Sequence, residues 1–116
     1  MKKLLAIIPL FLILTGPAQA GAIDEANKLY AEGHYEQAFS AFLPLAEQEI
    51  AEAQDMVGMM YMLGVGTQKN YALGALWLSL SAQQGVDHAR ETRDTLIDKW
   101  RKDIIENLKS FEHEPR

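Results

Sequence analysis

The chain has 116 residues, with 16 acidic against 11 basic side chains, a net charge of −5, and no cysteine. That length holds one domain. An acidic chain without a basic stripe is a poor electrostatic match to nucleic acid or anionic lipid. Lack of cysteine excludes disulfides, a thiol nucleophile and a lipid-modified cysteine anchor.

Residues 1–20 read as a signal peptide. Met1-Lys2-Lys3 is a basic start, Leu4 to Leu14 is apolar apart from Pro9, and Ala18-Gln19-Ala20 is the small-residue pattern that signal peptidase accepts. The apolar run is shorter than the ~20 residues a helix needs to span a bilayer. Cleavage after Ala20 would leave a mature chain starting at Gly21, periplasmic or secreted, with no membrane insertion. It would keep all 16 acidic residues but lose Lys2 and Lys3.

From Ala22 to Glu32, apolar residues at Ala22, Ile23, Ala26, Leu29 and Tyr30 have helical spacing. Asp24 and Glu25 lie in the first turn, where the helix dipole favours negative charge. Gly33-His34 is a tight turn. A second helix follows over Tyr35–Gln48, with Pro44 predicting a kink because it lacks a backbone donor. Ala51 to Leu63 is a third helix, ended by Gly64 and Gly66. Asn70 is placed to cap a fourth helix, Tyr71 to Gln84, and Gly85 to end it.

The two helix pairs repeat one another. Leu29-Tyr30 with Gly33 corresponds to Met60-Tyr61 with Gly64, an offset of 31. Tyr35, Ala38, Phe42, Ala46 and Gln48 correspond to Tyr71, Gly74, Leu78, Ala82 and Gln84, an offset of 36. The five residues Val65 to Lys69, inserted in the second turn, account for the difference. Helix pairs repeating at this period stack into a solenoid. Small residues such as Gly58 and Gly74 let helices approach, and aromatics such as Tyr30, Phe42, Tyr61 and Trp77 fill the wedges between them.

The second pair resembles a Sel1-like repeat, a relative of the tetratricopeptide repeat. The residues that carry the resemblance are Ala51, Ala53, Gln54, Val57, Gly58, Tyr61, Gly64, Gly66, Asn70, Tyr71, Trp77, Ala82, Gln84 and Gly85. The first pair looks tetratricopeptide-like. The resemblance implies an all-α, short helical-hairpin solenoid that binds another protein. It says nothing of which protein.

Residues 87–112 form the last helical region. Ala89, Leu96, Ile97, Trp100, Ile104, Ile105, Leu108 and Phe111 recur every three or four positions. One helix of this length is possible, but the family pattern favours a break near Trp100–Lys102. The apolar stripe is expected to cap the open end of the solenoid. Residues 113–116 are expected to fray.

Three patterns bear on chemistry. Met56, Met59 and Met60 share a helical face, and thioethers are soft ligands for Cu(I). Core packing is the favoured reading, because methionine fills gaps and no His or Cys lies nearby in sequence. His34, His88 and His113 are scattered, without the spacing of a helical metal site. Ser40, Ser79, Ser81 and Ser110 fall inside helices, and no nucleophile, base or metal constellation appears. The expectation is a non-enzyme with no cofactor.

The feature that departs from the family pattern is the fourth helix. It carries no charge, and Leu73, Leu76 and Leu80 form a stripe beside Trp77 where such repeats usually have charged residues. The favoured reading is that the last helical region packs on this stripe; the other is a partner-binding or homodimer surface. Contacts to a partner are placed at Tyr30, Tyr61, Leu73, Leu76, Trp77 and Leu80, with Gln54 and Asp55 flanking a groove. The sequence thus points to an exported adaptor or assembly factor, with Cu(I) binding and structural self-association as alternatives.

Overall fold

The computed structural model describes residues 17–112. Most of the expected signal segment and the whole of the expected frayed tail, with His113, lie outside the described residues. Five α-helices follow one another: α1 Pro17–Ala31, α2 Tyr35–Glu47, α3 Ala51–Leu63, α4 Tyr71–Gln83 and α5 Asp87–Glu112. Each packs mainly on its neighbour in the chain, with a smaller contact between α3 and α5. The fold among the described residues is therefore the expected all-α array of hairpins.

α1 begins five residues earlier than the periodicity suggests. Pro17 stands first in it, a position where proline's fixed φ and missing donor cost nothing. The first buried side chains of α1 are Ile23 and Ala26. α2 continues through Pro44, whose ring is exposed.

The internal repeat reappears in what is buried. The buried residues of α2 are Ala38, Phe42, Leu45 and Ala46. Those of α4 are Gly74, Leu78, Ser81 and Ala82, each 36 positions on. Ala53 and Met60 of α3 recur at the same offset as Ala89 and Leu96, the two buried residues of α5. The start of α5 thus takes the place of a hairpin's first helix.

The helix ends repeat as well. Gly33, Glu49 and Gly85 have positive φ of 83°, 66° and 95°. Each lies in a Schellman turn, whose outer bonds run from His34 N to Leu29 O, Ile50 N to Leu45 O and Val86 N to Ser81 O. Asn70 caps α4 as expected, its side-chain oxygen accepting from Leu73 N at 3.0 Å.

Two core clusters result. The first gathers Ile23, Ala26, Phe42, Leu45, Val57 and Met60 from α1 to α3, with Trp77 against it. The second gathers Leu78, Ala82, Ala89 and Leu96. α3 and α4 touch through glycines: a Cβ on Gly58 would lie 2.7 Å from Leu78 Cγ, and one on Gly74 would lie 3.1 Å from Gly58 O.

α5 corrects two expectations. It is one unbroken helix of 26 residues, about 39 Å long. The expected break is absent because the stretch has no glycine or proline, and Asp98 pairs with Arg101 (3.5 Å) and Lys102 (3.1 Å) across it. Its apolar stripe also does not cap the array throughout. Ile97, Ile104, Ile105, Leu108 and Phe111 are all exposed, between 43% and 73%. The array is covered mainly by the buried Ala89 and Leu96, with Trp100 edge-on to Tyr71 at 6.3 Å.

Candidate functional site

α4 has three working faces. Gly74 and Ser81 meet α3, and Ser81 is fully buried, donating to Ala51 O at 2.8 Å. Leu78 and Ala82, with Tyr71 and Ala75 beside them, meet α5. Leu73, Leu76 and Leu80 belong to neither cluster. Leu76 is 51% exposed and the other two are half-buried. The last helix therefore does not pack on the leucine stripe. A helix has room for only one neighbour per face, and α5 takes the side marked by Leu78 and Ala82.

The preceding repeat builds the equivalent face without leucine. Thirty-six positions earlier, α2 carries Gln37, Ser40 and Pro44 on the equivalent face, and all three are exposed. The same architecture there takes an exposed, leucine-free surface. Leu80 also borders an open depression of about 500 Å³, whose rim holds Gln48, Gln83 and Gln84, with Gln54 beneath.

That depression sits on a network of amides. Gln54 is only 3% exposed. Its side chain donates to Ala46 O at 3.3 Å and accepts from Gln84 Nε2 at 2.8 Å. Gln84 Nε2 also donates to Glu49 O at 2.9 Å. Buried polar atoms must be paired to offset desolvation, so this network ties the ends of α2 and α4 to α3.

The other residues singled out in the sequence fall elsewhere. Tyr30 stacks edge-on to Tyr35 at 5.1 Å, and Tyr61 edge-on to Phe39 at 5.2 Å. Both are half-buried against the first cluster, as is Trp77. Asp55 turns from Gln54 toward α5: its Oδ2 accepts from His88 Nδ1 at 2.9 Å. An ionised carboxylate only accepts, which makes Nδ1 the donor of this pair. This link was missed in the sequence, where Asp55 and His88 are 33 residues apart. Met60 is 1% exposed in the first cluster, Met56 packs beside it and Met62 joins the second.

Comparison of the chain with protein-family models, with curated proteins and with solved structures found no match in any of the three. Among the described residues, no helix is long and apolar enough to cross a membrane. No group of three or more His, Cys, Asp or Glu side chains gathers there as a metal site would need.

Proposed function

We propose that the protein is an exported, Sel1-like protein-interaction module, an adaptor or assembly factor of the cell envelope. The observation that carries this reading is the leucine face of α4. Three leucines stand outside both cores, on a surface where the preceding repeat has exposed Gln37, Ser40 and Pro44. Desolvating such a face returns roughly 25 cal/mol per Å² of apolar surface, which favours a partner's apolar helix or peptide. The glutamine-rimmed depression beside Leu80 adds donors and acceptors for a partner backbone.

Export rests on the first 20 residues of the sequence. Cleavage after Ala20 would spare every buried residue of α1, since the first is Ile23.

The test compares tagged protein with its Leu76→Glu variant in pull-downs from envelope extract, with circular dichroism on both. The expected result is a stoichiometric envelope partner that the variant loses while its melting temperature stays within a few degrees. A variant that unfolds would show the face to be structural. Undiminished capture would remove the leucines from the binding surface.

A further inference from the structure

The distal half of α5 points to a second copy of this chain. Ile97, Trp100, Ile104, Leu108 and Phe111 lie along one side of the helix, with Ile105 at its edge. Their spacings are three, four, four and three, which is symmetrical about Ile104. We infer that two copies pair antiparallel through this stripe, with a two-fold axis at Ile104.

Three observations select a second copy over another occupant. A two-fold contact requires that if residue i meets residue j, then j meets i. The symmetrical spacing meets that condition: Phe111 falls opposite Ile97, and Leu108 opposite Trp100. Shape agrees, because Ile97, Trp100 and Ile104 line a shallow apolar depression of about 250 Å³. Leu108 and Phe111 are the most exposed members of the stripe, at 59% and 73%, so each copy's protrusion faces the other's hollow.

Charge agrees as well. Residues 17–96 carry 4 basic against 11 acidic side chains, so two copies repel over most of their surface. In residues 97–112, Lys99, Arg101, Lys102 and Lys109 balance Asp98, Asp103, Glu106 and Glu112.

The stripe offers roughly 600 Å² per copy, somewhat below the ~800 Å² each partner gives to a standard interface. The pairing is accordingly a reversible dimer, favoured by high protein concentration. The leucine face is on a different helix, so the dimer can present it twice.

The chain has no cysteine, which makes a cross-linking test clean. Ile104→Cys places two thiols at the two-fold and should give a disulfide-linked dimer under mild oxidation. Phe111→Cys alone should not, because its counterpart is about 21 Å away along the helix pair. Mixed with Ile97→Cys, it should cross-link. In sedimentation equilibrium, Ile104→Lys should weaken the dimer about 100-fold with an unchanged circular dichroism spectrum. A monomer at several hundred micromolar would overturn the proposal. So would cross-linking through Ile97→Cys alone, which means a parallel pair, or through Leu76→Cys, which moves the contact to α4.

Discussion

Glu49 stands at φ 66°, in the turn that Gly33 and Gly85 make with glycine. A side chain costs about 1 kcal/mol in this left-handed region. Glu49→Gly should therefore raise stability by about 0.5–1 kcal/mol in urea denaturation, since the backbone bonds of the turn are kept. Gly66 is the opposite case. It has φ 74°, and a Cβ there would lie 2.3 Å from Tyr35 O. Gly66→Ala should cost about 3 kcal/mol, from strain and backbone displacement together. Tyr71 gives a pH signature. Its phenol is held above the ordinary value of 10.0, first by partial desolvation and then by Asp103, which accepts its hydrogen bond at 3.2 Å. Below pH ~10 both folded and unfolded chains keep this proton. Above it the unfolded chain ionises first, so this contribution to stability is lost as pH rises through the folded value. Tyr71→Phe should lose less stability than the parent as the pH rises above about 10, followed by chemical denaturation at each pH.

Among the elements, α3 and α4 depend on a close crossing. Gly58 and Gly74 let the two backbones meet, with Leu78 Cγ and N both within 2.9 Å of where a Gly58 Cβ would stand. Gly58→Ala should destabilise by about 1–3 kcal/mol, because a buried leucine and its backbone must shift. Helix propensity pulls the other way by about 1 kcal/mol, so a stabilised variant would show that the crossing can relax. α5 is held differently. Its proximal half is anchored by Ala89 and Leu96 and by the Asp55–His88 link. Its distal half is kept helical by propensity and by surface pairs such as Asp98–Lys102, which are worth only a few tenths of a kcal/mol each.

Among the described residues, substantial packing runs from each helix to the next, with smaller skips such as α3 to α5. Stability in such a stack is close to a sum over neighbours. Amide exchange should be slowest in α2, α3 and α4, which contribute to the buried clusters from both sides. Residues 97–112 should exchange fast in dilute solution. Their protection should grow with protein concentration if two copies pair through Ile104, and concentration-independent exchange there would count against pairing.

The hairpins, the turns between them and the Asn70 cap were legible in the chain because they rest on local signals: period 3.6, capping chemistry and glycine stops; the start of α1 at Pro17 was not. The 36-residue offset also located the buried faces of α2 and α4. The partners of each face were not legible. An apolar helix such as α4 offers several sides, and periodicity alone does not say which one α5 will cover. Only the tertiary structure assigned α5 to the Leu78 side, left Leu73, Leu76 and Leu80 outside the cores, and joined Asp55 to His88. Past its last buried residue, Leu96, α5 runs on for a local reason, because nothing in the sequence there stops a helix, and Trp100 and Asp103 still reach Tyr71.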